Sequence, residues 1–315
     1  MKLGIVMDPI QRINIQKDSS FAMLLAAQAR DWDIYYMEQH DLYMQQDRAF
    51  ARMQRLQVKD DAKNWFALQQ AGIEELATLD VILMRKDPPF NMNYIYTTYM
   101  LEQAQKAGVL VINNPQALRN VNEKFYITHF PQCIAPTIVT SDIQILSEFV
   151  THHDSTIVKP LDGMAGQGIF RLSANDPNKM ALLESTTRLG TQHVMAQKYI
   201  AEITEGDKRI LLVDGEPIPY ALARIPARGE FRGNLARGGS GKGVELSERD
   251  RWICEQVGSK LKDLGLYFVG LDVIGDYLTE INVTSPTCIR ELDSLYNISI
   301  GAQLMDVIER YKQGN

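Results

Sequence analysis

Cysteine is scarce in this 315-residue chain: Cys133, Cys254 and Cys288 stand far apart, with no C-x-x-C pair. That argues against a disulfide framework or a cysteine zinc site, and points to buried small hydrophobes in a reducing cytoplasm. No stretch approaches the roughly 20 apolar residues needed to cross a bilayer. Met1 to Asp8 turns acidic too soon for a signal peptide and reads as a buried strand. Basic charge is also short, with 33 Lys and Arg against 39 Asp and Glu, a formal net charge of −6 and a pI near 5.5. Nucleic acid and anionic membranes are therefore poor candidates for the main partner. No G-x-G-x-x-G follows the first strand, so no dinucleotide is expected there. No G-K-[ST] opens a helix, which excludes a Walker A loop. No Ser-His-Asp or Cys-His set is apparent, and neither repeats nor low-complexity tracts occur.

What remains is ordinary globular composition, 45% hydrophobic and 23% charged, with length for two or three domains. Residues 1 to about 120 alternate strand and helix. Strands are expected at Leu3–Met7, Ile34–Met37, Val81–Met84 and Val109–Ile112. Helices are expected from an Asp18-Ser19-Ser20 cap to about Arg30, and from Met92 to Ala107 with Gly108 as the stop. This predicts an α/β class, Rossmann-like, with a parallel sheet between helices and ligands beyond the carboxyl ends of the strands. A smaller unit runs from about 121 to 200, and a third from 201 to 315, with helices on the Ile253–Leu264 and Ile298–Ile308 stripes.

One stretch of the third unit carries oxygen ligands where a core is expected. Leu271 to Pro286 reads as two apolar strands around Gly275-Asp276, with Asp272 on the first and Glu280 and Asn282 on the second. Glu280 and Asn282, two apart, share a face. Hard oxygen donors on one wall suit Mg²⁺, or Mn²⁺, completed by nucleotide phosphates. Asp272 joins that face only if the connecting loop is odd in length, so a three-residue loop at 275–277 is expected.

Lys159-Pro160 runs into a loop containing Gly163, Gly166 and Gly168, whose N–H groups can cradle phosphate beside the Lys159 and Lys124 charges. Gln197-Lys198-Tyr199-Ile200 leads into the third unit, and its strand edge can meet an adenine. Asp207-Lys208-Arg209 follows. Arg224 ends an apolar strand, and Arg228, Arg232 and Arg237 lie in a glycine-rich segment over 226–243, read as a lid that orders on binding. Ser285, Pro286, Thr287 and Arg290 follow Asn282 and can hold an anionic substrate.

The order Lys124, Lys159-Pro160 with its glycine loop, Gln197–Ile200, then Asp272…Glu280-x-Asn282 is similar to that of the nucleotide-binding elements of ATP-grasp ligases. Val81 to Phe90, Arg224-Ile225-Pro226 with Arg232 to Ala236, and Thr279 to Glu291 resemble bacterial glutathione synthetases, and the likeness runs along essentially the whole chain. Ala165 departs from it, where a glycine is expected. The resemblance implies a pre-ATP-grasp substrate domain at 1–121, a lid lobe at 122–200 and a C-terminal ATP-grasp lobe at 201–315. It implies ATP-driven ligation of γ-glutamylcysteine with glycine through an acyl phosphate, in a homo-oligomer, dimer or tetramer. Within it, Lys124, Lys159, Gly163, Gly166, Gly168, Gln197, Lys198, Tyr199, Ile200, Asp207 and Arg209 would bind ATP. Arg85, Ser285, Pro286, Thr287 and Arg290 would bind the peptide, Arg224 and Arg232 would act in catalysis, and Asp272, Glu280 and Asn282 would hold the metal. The alternatives are another ATP-grasp ligase, of the D-alanine–D-alanine or glutamate-adding type, and a nucleotide-binding module without turnover.

Overall fold

The computed structural model describes residues 1–163, 166–227, 229, 230, 232, 233 and 238–314. Arg228, Arg237, Ala165 and the 234–236 stretch of the sequence argument lie outside the described residues.

The first 112 residues build one sheet from β1 (Lys2–Met7), β2 (Asp33–Met37), β3 (Leu42–Gln45), β4 (Arg48–Val58), β5 (Phe66–Leu68), β6 (Gly72–Glu75), β7 (Val81–Arg85) and β8 (Leu110–Ile112). Its main path is β3-β4-β2-β1-β7-β8, with β5 and β6 also on β4. β1 pairs in parallel with β2 and β7, and β7 with β8, as the alternating pattern predicts. Residues 42–75 add antiparallel strands that the expected parallel sheet lacked, so the sheet is mixed. The signal for β4 is broken. Ala49, Ala51 and Met53 are buried in one cluster, then the alternation slips and Leu56 and Val58 bury in another. Helix α1 (Ser19–Gln28) is capped by Asp18, whose Oδ1 accepts from Phe21 N at 2.6 Å. α2 (Met92–Lys106) is capped by Asn91 and followed by Gly108 at φ +95°. α3 (Pro115–Asn120) follows β8.

The second sheet is antiparallel, β11-β10-β12-β9, from β9 (Thr137–Thr140), β10 (Ser155–Pro160), β11 (Phe170–Ser173) and β12 (Val194–Lys198). α4 (Ile143–His152) and α5 (Lys179–Thr186) cover it. β12 is an inner strand, and Lys198 N and Tyr199 N donate to Pro136 and Ser155 carbonyls at 2.9 Å. The N–H groups of Lys198 and Tyr199 are thus taken up within the second sheet.

The third sheet, β15-β14-β13-β16-β17, is built from β13 (Asp207–Val213), β14 (Glu216–Ile225), β15 (Ser240–Glu245), β16 (Phe268–Ile274) and β17 (Tyr277–Asn282). α6 (Glu248–Asp263), α7 (Ile289–Tyr296) and α8 (Ile300–Gln313) pack around it. Residues 240–243, expected in the long loop, instead pair with β14, which shortens that loop at its far end. Buried Asn113, just after β8, ties the first sheet to the third: its Nδ2 donates to Phe268 O at 2.8 Å and Val283 O at 2.7 Å, and its Oδ1 accepts from Phe268 N at 2.9 Å. All three cysteines are buried and unbridged.

Candidate active site

The β16–β17 hairpin solves its parity problem differently from expectation. The turn is two residues, Gly275-Asp276, with Gly275 at φ +54° and Ile274 opposite Tyr277. Such a turn alone would set Asp272 and Glu280 on opposite faces. A bulge at Thr279 restores them: Val273 faces Leu278, yet Asp272 faces Glu280 and Gly270 faces Asn282. The expected odd loop is wrong and the expected pairing holds. The bulge also re-aims Thr279, whose hydroxyl donates to Asp272 O at 3.1 Å and whose carbonyl accepts from Lys159 Nζ at 3.2 Å.

Asp272, 3% exposed, is held by two arginines. Arg209 grips it with both ends of the fork, Nε to Oδ1 at 2.5 Å and Nη2 to Oδ2 at 3.0 Å. Arg224 Nη2 lies 2.9 Å from Oδ2 and also 2.5 Å from Asp207 Oδ2. Burial disfavours the Asp272 charge, but Arg209 and Arg224 outweigh it and hold this carboxyl well below its usual range. Asp207 goes the other way: burial, with Asp272 and Glu280 nearby, outweighs Arg224 and pushes it up to about 7. Its Oδ1 is buried without a hydrogen-bond partner among the described residues. Gly270 makes room for this stack, since a Cβ there would lie 2.9 Å from Arg209 Cδ and from Pro286 Cβ.

Glu280 has looser company. Its Oε1 lies 3.7 Å from Lys124 Nζ and 3.8 Å from Lys159 Nζ, ion-pair distances too long for hydrogen bonds. Burial pulls Lys159 below its usual value, with Glu280 opposing and Lys124 reinforcing the shift. Lys124 Nζ also donates to Gly163 O at 2.5 Å, tying it to the glycine loop. Gly166 and Gly168 stand at φ +71° and +68°, where a side chain would be strained. Arg232 reaches the same loop, its Nη1 donating to Gly166 O at 3.0 Å, and pairs with Glu230.

The charged groups around Asp272 and Glu280, with Gly163, Gly166 and Arg232 but not Gly168, line one cavity of about 310 Å³ between the second and third sheets. Gln197, Lys198, Tyr199 and Ile200 line it, beside Ile157, Ile169, Ile203 and Ile274, an apolar slot of the kind a flat base needs. Tyr199 is stacked from outside by Arg171 at 3.7 Å. Glu123 was missed by the sequence argument. Its Oε1 accepts from Val283 N at 2.9 Å, Thr284 N at 3.0 Å and Thr284 Oγ1 at 2.9 Å, pinning the chain just beyond Asn282. A lone Glu before Lys124 carries no periodic signal that could have marked it.

At the other end, Ser285, Pro286 and Thr287 line the cavity, with Asp87 and Pro88 from beyond β7. Arg85 does not. It is buried behind the 285–287 loop, donating to Ser20 Oγ at 3.0 Å and Pro286 O at 2.8 Å. Arg290 is also off the cavity, paired with Asp60 on the surface at 2.9 Å.

The prokaryotic glutathione synthetase N-terminal domain matches residues 1–119, and the ATP-grasp domain of the same family matches 123–297. The chain belongs to the prokaryotic glutathione synthetase family. Glutathione synthetases of Pseudomonas putida and Pseudomonas aeruginosa are each 60% identical to it, over 98% of this chain and 98% and 97% of theirs. That of Coxiella burnetii is 54% identical over 98% of this chain and 96% of its own. Among solved structures, D-cycloserine synthetase DcsG superposes with a TM-score of 0.68 at 13% identity, covering 98% of this chain and 99% of its own. The ATP-grasp ligase PsnB complexed with precursor peptide and AMPPNP gives 0.64 at 15% identity, covering 99% and 98%. Those two likenesses show the fold, an ATP-grasp fold. The resemblance drawn from the motifs is thus borne out at the level of family, fold and enzyme class.

Proposed function

We infer that this glutathione synthetase family member joins γ-glutamylcysteine to glycine with ATP, releasing ADP and phosphate. Family membership carries the overall reaction, ATP-dependent glutathione synthesis. The observation that supports the route is the convergence of Lys124 and Lys159 on Glu280 at the bulged hairpin. Phosphoryl transfer asks mainly for positioning and charge neutralisation. Two buried lysines beside a glycine loop supply both to the phosphates of an ATP whose base lies in the isoleucine-lined slot at Gln197–Ile200. The peptide carboxylate attacks the γ-phosphate to give an acyl phosphate. Glycine's amine then adds to that carbonyl, and phosphate leaves.

Arg224 is held at the cavity wall with its charge secured: burial weakens it, but Asp207 and Asp272 more than compensate and raise its pKa further. From there it faces developing oxyanion charge. Arg232 bridges to the glycine loop and limits water at the acyl phosphate.

The donor set fits a hard divalent cation. Asn282 Nδ2 donates to Gly270 O at 3.2 Å, which leaves its Oδ1 for a metal, and the buried Asp207 Oδ1 lacks a partner among the described residues. Glu280, Asn282 and Asp272 would hold Mg²⁺ or Mn²⁺, Asp272 by sharing oxygens now bound to Arg209 and Arg224. Such an ion would supply positive charge against the ATP phosphates. No helix among the described residues is long and apolar enough to cross a membrane, in keeping with a cytoplasmic enzyme.

The test uses γ-glutamylcysteine carrying heavy oxygen in its cysteinyl carboxylate, with glycine and ATP. Glutathione, ADP and one labelled oxygen in the released phosphate are expected. Glutathione with unlabelled phosphate would refute the acyl phosphate, and no glutathione would refute the substrate assignment.

A further inference from the structure

The reaction brings two amino-acid heads into the cleft, and they differ in one respect. Glycine's nitrogen is the nucleophile, so it must be neutral and lie beside the acyl phosphate. The α-amino group of the glutamyl end is a spectator and stays an ammonium. A spectator cation in a cleft needs an acceptor that nothing else has claimed.

Five carboxylates line the cavity: Asp87, Glu123, Asp207, Asp272 and Glu280. Four are committed. Asp272 carries Arg209 and Arg224. Asp207 shares Arg224. Glu280 faces both lysines. Glu123 holds Val283 and Thr284. Asp87 alone has no side-chain hydrogen bond or ion pair among the described residues. The obvious rival cation is already engaged: Lys86 Nζ lies 2.9 Å from Asp8 and donates to the Asp87 carbonyl at 2.8 Å. Arg85, close enough to feel the Asp87 charge, is buried below with its donors on Ser20 and Pro286.

The backbone around Asp87 is anchored. Its N–H donates to Asp8 Oδ2 at 3.0 Å. Two residues earlier, Arg85 O accepts from Ser285 Oγ at 3.3 Å, and Arg85 Nη2 holds Pro286 O. Asp87 therefore lies next to the 285–287 segment at the end of the cavity where hydroxyls are offered for a carboxylate. A carboxylate beside hydroxyls suits a zwitterionic amino-acid head.

We propose that Asp87 is a specificity residue that receives the α-ammonium group of the γ-glutamyl end of the dipeptide. This rests on the substrate assignment above. The experiment measures steady-state constants for the wild type and Asp87→Asn with γ-glutamylcysteine and with glutarylcysteine, the same dipeptide lacking the amino group. For the wild type, loss of the amino group should raise KM about tenfold, the scale of one charge-assisted hydrogen bond. Asp87→Asn should show that same rise with the natural dipeptide, treat the two dipeptides alike, and keep its KM for glycine and ATP. A variant that still discriminates, or whose KM rises for glycine instead, overturns the proposal. So does a rise for all three substrates, which would mark a structural role. If the wild type makes no glutathione, it is the substrate assignment that fails. If it makes glutathione and ignores the missing amino group, only the Asp87 role fails.

Discussion

Two charged groups line the cavity side by side, meeting at the Asp272–Glu280 pair of the hairpin, and they are built on opposite plans. On the β13–β14–β16 wall, buried Arg209, Arg224 and Asp272 and part-buried Asp207 are joined by contacts of 2.5 to 3.0 Å. At the mouth of the glycine loop, Lys124, Lys159 and Glu280 meet only at 3.7 and 3.8 Å. A buried network with short fork-to-carboxylate bonds fixes geometry, and removing one member leaves an uncompensated charge. A loose trio holds its charges for something else. The wall is a frame, and the trio is the place for ATP phosphates.

The largest break in this comparison should come from the trio. Glu280→Gln should lower turnover at least about 100-fold while thermal unfolding stays near wild type, read by ADP release and calorimetry. Wild-type turnover at limiting Mg²⁺ would contradict it.

The wall should fail in the other currency. Arg224→Ala leaves Asp207 and Asp272 facing each other with less cation, and should cost about 3–5 kcal/mol of stability by denaturant titration. A variant as stable as the wild type would mean the wall is no frame.

A finer probe is pH. The Asp207 carboxyl, ordinarily near 3.8, is pushed up to about 7 in the folded chain. The folded state then binds the proton more tightly, so this group favours folding at low pH and loses that contribution as pH rises from about 4 to 7. Asp207→Asn cannot titrate. Its melting temperature relative to the wild type should therefore climb across that window, and a pH-independent difference would contradict the assignment.

The smallest effect is expected outside both groups. Arg290 pairs with a half-exposed Asp60, a surface contact worth less than about 1 kcal/mol. Arg290→Ala should leave the KM for γ-glutamylcysteine unchanged. A large rise would restore Arg290 to the peptide site.

The frame and the trio were unequally legible in the sequence. Lys159, Glu280 and Asn282 stand out because charged or polar groups at strand ends and in apolar strands need a reason, while Lys124, just before a short 3-10 turn, was found only through the order of the motifs. The arginines were visible as residues, but not their pairing, which depends on β13 lying between β14 and β16. The Thr279 bulge had no signature, because threonine suits a regular strand equally well, so the right pairing was reached through a wrong turn length. Strands β3 to β6 escaped because the alternation in β4 slips between Met53 and Leu56 and changes core. Arg85 and Arg290 show the limit of reading roles from order along the chain: both flank the peptide end, yet one is turned inward behind the loop and the other outward to Asp60.

The division between frame and trio meets its most direct test in the binding of a non-hydrolysable ATP analogue with Mg²⁺, measured by calorimetric titration on the wild type and Lys159→Met. The account predicts a fall in affinity of about 100-fold, the loss of a charge-assisted contact of roughly 3 kcal/mol, with little change in melting temperature. Equal affinity in the two proteins would contradict it and place the phosphates elsewhere in the cavity.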